Sequence, residues 1–147
     1  MTLSKKSLNW LTENNFDPYD LNKPGKYQDS PLIAACRQGR LDVVDELLAS
    51  GVDIHHTNMD GTDALWAAAV ADSMEIADKL LAAGINIDNQ NENGASVLMY
   101  AASTGKSAWV WYLLNKGANM GLESLDGFSA TELASNVDCF KLLRRWK

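Results

Sequence analysis

The chain is short of positive charge, of histidine and of long apolar runs, and each shortage excludes something. Lys and Arg together number 13 against 19 Asp and Glu, a formal net charge of −6. Nucleic acid is therefore not an expected partner, because binding it needs basic residues that displace counterions. The 2 histidines stand side by side as His55-His56, which leaves most acid–base chemistry without an agent. No stretch approaches the roughly 18 apolar residues that span a bilayer, and no membrane partner is expected. The start, Met1-Thr2-Leu3-Ser4-Lys5-Lys6-Ser7-Leu8, has charge without an apolar run behind it, so it does not read as a signal peptide. What remains, at 147 residues with 46% hydrophobic and 22% charged, is the composition of one folded domain.

Within it, three registers repeat at one interval. Leu32, Leu65 and Leu98 lie 33 residues apart, as do Gly51, Gly84 and Gly117, and again Gly61, Gly94 and Gly127. A period of this size marks a stack of supersecondary units, none of which buries its apolar face alone.

Each unit has the same internal order. A short alanine-rich segment comes first: residues 31–38, 64–71 and 97–104. Alanine favours helix and lets neighbouring helices approach closely. Gly39, Asp72 and Gly105 then interrupt the chain. A second segment follows at 41–50, 74–83 and 107–116, with apolar residues at helical spacing, such as Leu41, Val44, Leu47 and Leu48. Gly51, Gly84 and Gly117 stop it where a left-handed backbone is cheap. An extended stretch leads to Asp60-Gly61, Asn93-Gly94 or Asp126-Gly127, strong hairpin-turn signals.

Ser30-Pro31-Leu32-Ile33-Ala34-Ala35, followed by Gly39-Arg40-Leu41-Asp42-Val43-Val44-Asp45-Glu46-Leu47-Leu48-Ala49-Ser50-Gly51-Val52, resembles the ankyrin repeat. The resemblance covers roughly residues 28 to 143 in concordant copies. It implies an all-α ankyrin-repeat solenoid of helix-turn-helix units with β-hairpin-like tips, one domain over residues 1–147. In that frame 1–27 is an N-terminal cap helix and loop, 28–59, 60–92 and 93–125 are full repeats, and 126–147 is a shortened C-terminal cap. The family's His is absent, with Ile33, Trp66, Met99 and Glu132 in its place, and its Thr appears as Ser30, Asp63, Ser96 and Ser129. Apolar packing is expected to replace most of the Thr–His hydrogen bonding. The cap helix over 4–14 should turn Leu8 and Leu11 inward with Trp10 flanking. In the last helix Cys139, Leu142, Leu143 and Trp146 share a face, with Lys141, Arg144, Arg145 and Lys147 polar.

No site for a cofactor, metal or catalysis emerges. Phosphate loops, nucleophile elbows and H-E-x-x-H pairs are missing. Adjacent histidines in a turn seldom converge on one ion, and His55-His56 has no third ligand in view. Residues 89–94 imitate the start of a calcium loop, but the twelfth position, which needs a bidentate Glu, is Tyr100. Cys36 aligns with inner-helix alanines and reads as core. Stacked layers about 10 Å apart separate Cys36 from Cys139, beyond the ~4.4–6.8 Å that a disulfide spans. A reducing cytoplasm fits free thiols.

The resemblance also implies where a partner binds: a concave surface of tips and first-helix solvent faces. Its contact positions fall on Lys26, Tyr27, Asp29, Arg37 and Gln38, then on Met59, Asp60, Thr62, Val70 and Ala71. The third repeat supplies Glu92, Asn93, Ala95, Ser103 and Thr104, and the last Leu125, Asp126 and Phe128. Tyr27, Met59, Val70, Leu125 and Phe128 are apolar or aromatic there, as interface centres tend to be. Phe128 has a second reading, folding back onto the short cap. Trp111 and Tyr112 replace the charges Asp45-Glu46 and Asp78-Lys79 of the other repeats. They either cover the gap beside the short last unit or form an outward patch for a partner or a weak homodimer. The expected function is binding another protein, basic or of mixed charge, as a small regulator or inhibitor. A neutralising partner for a toxin or enzyme is the alternative, and a ligand-binding or enzymatic groove the reading from another class.

Overall fold

The computed structural model describes residues 3–146, so the expectation placed on Lys147 lies outside the described residues. Its helices are α1 (Lys5–Glu13), α2 (Pro31–Arg37), α3 (Leu41–Ala49), α4 (Ala64–Val70), α5 (Met74–Ala82), α6 (Val97–Ser103), α7 (Ser107–Asn115), α8 (Ala130–Leu133) and α9 (Val137–Arg145). A single 3-10 turn spans Lys26–Gln28, and no strand occurs among the described residues.

The first helices α2, α4 and α6 are 7 residues long and the second helices α3, α5 and α7 are 9, in the positions the 33-residue period predicts. Ser30, Asp63, Ser96 and Ser129 occupy one register and do one job. Each side chain caps a first helix by accepting from the amide three residues on: Ile33 at 3.1 Å, Trp66 at 3.1 Å, Met99 at 3.2 Å and Glu132 at 3.3 Å. Ile33, Trp66 and Met99 are buried, so apolar packing does fill the family's histidine position. Glu132 instead accepts the Ser129 amide N–H at 3.1 Å on its carboxylate and closes a capping box.

The chain forms two compact units, divided between Ile85 and Asn86. In the first, α1 packs on α3, α2 on α3 and α4, and α5 on α3 and α4. The core holds Leu11, Leu32, Val43, Val44, Leu47, Leu65, Ile76 and Leu80, all nearly inaccessible to solvent. In the second, α6 packs on α7 and α8, and α9 on α7 and α8, around Leu98, Met99, Trp109, Val110, Leu113, Cys139 and Leu143.

The cap helix turns differently from expectation. Leu8 is exposed, and Ser7, Trp10 and Leu11 face inward. The Glu46 carboxylate on α3 selects that face, because the Ser7 hydroxyl donates to it at 2.8 Å. Trp10 is then buried, its indole N–H donating to Gln38 Oε1 at 2.8 Å and its ring stacked on Phe16 at 5.8 Å between centroids.

Candidate functional site

The tips at residues 58–62, 91–95 and 124–128 are each built around one side chain. In the first unit the buried Asn58 amide oxygen accepts from Asp60 N at 3.0 Å, Thr62 N at 3.1 Å and the Thr62 hydroxyl at 2.9 Å. Asn91 does the same in the second unit, accepting from Asn93 N and Ala95 N at 2.9 Å each. Ser124 stands in the same register and takes the Phe128 amide at 3.2 Å. These are Asx- and ST-type turns, which fix a loop without a strand ladder. Their signal was an Asn, Asn, Ser series at the 33-residue interval.

Tips within a unit are also tied to each other. Met59 N–H donates to the Tyr27 carbonyl at 3.0 Å, and Leu125 N–H to the Asn93 carbonyl at 3.0 Å. Gln90 Nε2 bridges the Gly94 and Glu123 carbonyls at 2.8 and 2.9 Å.

In the first unit, Tyr27 and Gln28 both sit in the left-handed region, at φ 60° and 63°. That conformation is costly for residues with a side chain and persists only where the surroundings fix it. Here they do: the Tyr27 carbonyl takes the Met59 amide, and His56 Nε2 lies 2.6 Å from the Gln28 carbonyl. The result is a Tyr27 ring held out in solvent at 60% exposure, with Lys26 Nζ 5.0 Å from its centroid. Met59, 59% exposed, follows on the adjoining tip. Lys26, Arg37, Gln38, Asp60 and Val70 are exposed as well, and Ala71 is half-buried.

Two expected contact residues of this unit are not presented. Asp29 is 7% exposed, with its carboxylate held by the Arg37 guanidinium in a two-pronged pair and by Asn58 Nδ2 at 2.9 Å. The side-chain hydrogen bond to Asp29 raises the Arg37 pKa further above its ordinary value. Thr62 is half-buried, its hydroxyl spent on Asn58. Asp29 and Thr62 build the tip instead of displaying it.

In the second unit Glu92, Asn93, Ser103, Thr104, Asp126 and Phe128 are exposed, Ala95 is half-buried, and Leu125 stands 77% in solvent. The Phe128 side chain is 47% exposed. The pair Trp111 and Tyr112 separates. Tyr112 is 8% exposed and packs edge-on against Trp109, with centroids 5.4 Å apart, so it covers core and is no part of an outward patch. Trp111 is 55% exposed.

Among the described residues no group of three His, Cys, Asp or Glu side chains converges on a metal-sized point. Burial, with the Asp63 charge second, pushes the Cys36 thiol up to about 12, so it stays protonated and is no ready nucleophile. Both cysteines are free. Among the described residues no helix is long and apolar enough to cross a membrane.

A family profile described as ankyrin repeats (3 copies) matches residues 3–91 and 66–145. No curated protein matches the chain.

Proposed function

The chain belongs to the ankyrin-repeat family, and from that premise we propose that it works by docking a protein partner onto its tips and the solvent side of its first helices. Ankyrin repeats are generally protein–protein interaction modules and typically not enzymes. The observation that carries the reading here is the pairing of Tyr27 with Met59: two large apolar side chains, 60% and 59% exposed, on backbone that is hydrogen-bonded into place. Backbone fixed in this way has little freedom left to lose on docking, so more of the burial of the side chains it carries appears as affinity. Leu125 and Phe128 give the second unit comparable anchors. Such a surface suits a small regulator or inhibitor that acts by occlusion, in a reducing cytoplasm where its thiols stay free.

A second reading is supported by charge. Asp60, Glu92 and Asp126 are exposed tip residues on a chain of net charge −6. A basic toxin or enzyme neutralised by this surface would associate in a strongly salt-sensitive manner. The groove reading has less support, because Asn58, Asn91, Gln90 and Asp29 spend their polar atoms on the tips themselves.

Affinity capture from source lysate tests the proposal, run beside a variant carrying Tyr27→Ser, Met59→Ser and Phe128→Ser. A protein retained by the native chain and lost by the variant identifies the partner and its docking surface. Equal retention by both refutes the assignment.

A further inference from the structure

Away from the tips, the second unit contains an open cleft of about 490 Å³ between the first turn of α7 and the outer side of α9. Ser107 and Ala108 line it from α7, and Lys141, Leu142, Arg145 and Trp146 from the other side. Its walls are mostly apolar. Its charge runs against that of the chain: Lys141 and Arg145, four residues apart on one helix face, outweigh the one carboxylate of Asp138. Neither cation has an ion-pair partner among the described residues. The α7 N-terminus, with no side-chain cap and no acidic residue in its first turn, adds to the positive potential. An aromatic side chain flanked by carboxylates is the chemistry that fits.

This sequence contains such a segment. In Asp17-Pro18-Tyr19-Asp20, Tyr19 is 96% exposed, the most exposed of the large apolar residues described. The loop is nonetheless ordered by its own side chains. Asp17 Oδ1 accepts the Tyr19 amide at 2.8 Å, Asp20 Oδ1 the Asn22 amide at 3.2 Å, and the Asp17 carbonyl the Asp20 amide at 3.2 Å. Nothing in the first unit's core uses the ring, although the loop holds it out. Both carboxylates lack an ion-pair partner among the described residues.

We propose that the α7–α9 cleft of one copy of this chain receives the Tyr19 loop of a second copy. Tyr19 seats against Ala108, Leu142 and Trp146, and Asp17 and Asp20 meet Lys141 and Arg145. Each copy carries one loop and one cleft, so the contact is head-to-tail. It is small and charge-dependent, which makes the association weak and salt-sensitive. It uses none of the tip residues assigned to the protein partner.

Sedimentation equilibrium over a range of concentrations and salt tests it. The weight-average mass should rise above 16.1 kDa with concentration at low salt and return to that value at high salt. Tyr19→Ser, and separately Lys141→Glu with Arg145→Glu, should each weaken association about tenfold or more, whereas Leu125→Ser should leave it unchanged. Circular dichroism checks that each variant keeps its helices; if the reversals disturb α9, Lys141→Gln with Arg145→Gln should weaken association in the same direction. A constant 16.1 kDa at every concentration overturns the proposal, as does association that survives Tyr19→Ser. A peptide of residues 15–24 that shifts the Trp146 indole resonance, while the intact chain stays monomeric, also overturns it and gives the cleft to an acidic segment of another protein.

Discussion

Glu46 on α3 holds Ser7 on α1: the Ser7 hydroxyl donates to Glu46 Oε2 at 2.8 Å, where the Ser4 hydroxyl also donates at 2.7 Å. The other carboxylate oxygen takes the Ser4 amide at 2.6 Å. One side chain thereby caps the approach of two helices and decides which face of α1 is buried.

These bonds, the Ser4 amide first, hold the Glu46 pKa below its ordinary 4.5. A carboxylate with a lowered native pKa contributes stability that is complete above its unfolded value and disappears as pH falls through the native one. At pH 7 Glu46→Gln should lower the melting temperature by about 2–4 °C, the effect of one charge-assisted hydrogen bond at this chain length. As pH falls below the ordinary pKa the native chain progressively loses the same contribution, so the gap between the two melting curves should be narrower at about pH 3 than at pH 7. A gap as wide in acid as at neutral pH would show that the charge is not what matters.

Asp63 presents the opposite sign. It caps α4 from a buried site, and desolvation raises its pKa above the ordinary 3.8 despite the amide bonds that favour the anion. A raised native pKa gives a contribution that is present below the unfolded value and lost as pH rises through the native one. Ser30, Ser96 and Ser129 do the same capping without a charge. Asp63→Ser should therefore stabilise the chain at pH 7 by an amount on the order of 1 kcal/mol, with a smaller gain near pH 3. Thermal denaturation at the two values measures the difference.

Neighbouring aromatics on α7 should respond unequally. Tyr112→Asp places a charge where 8% of the side chain is accessible and should cost about 3 kcal/mol or more in urea denaturation. Trp111→Asp alters a ring that is 55% exposed and should cost clearly less than Tyr112→Asp.

Gly94 and Gly127 share a register and a positive φ, 74° and 83°, yet their surroundings differ. A Cβ at Gly94 would lie 2.8 Å from the Leu125 amide nitrogen, and one at Gly127 would meet nothing. Gly127→Ala should cost about 1–2 kcal/mol from backbone strain alone. Gly94→Ala should cost about 1 kcal/mol more, because Leu125 must give up its bond to the Asn93 carbonyl. Equal losses in chemical denaturation would show that the tips are not coupled.

The helices were legible in the sequence because their signals are local and repeated. A cap at Ser30, Asp63 and Ser96 and a glycine at Gly51, Gly84 and Gly117 bracket each pair, and three copies reinforce one another. The exposed part of the candidate surface was legible for the same reason, since register alone places Met59 and Leu125 at tips. Asp29 was not. Its burial depends on Arg37 and Asn58, 8 and 29 residues away, and no pattern along the chain announces that meeting. The inward face of α1 was hidden similarly: Leu8 and Trp10 are both apolar, and what favours Trp10, Glu46 through Ser7 and Gln38 through the indole N–H, lies 39 and 28 residues along the chain. The left-handed Tyr27-Gln28 pair lacks the glycine that would have signalled it.

The bonds from Met59 N–H to the Tyr27 carbonyl and from Leu125 N–H to the Asn93 carbonyl carry a further implication. With those amides already engaged, an incoming chain cannot extend the tips there by strand addition, and must be recognised through side-chain shape and charge. At positions 59 and 125 the tie runs through the backbone N–H, so any residue other than proline keeps it, and under the proposed function specificity is rewritable there without architectural penalty.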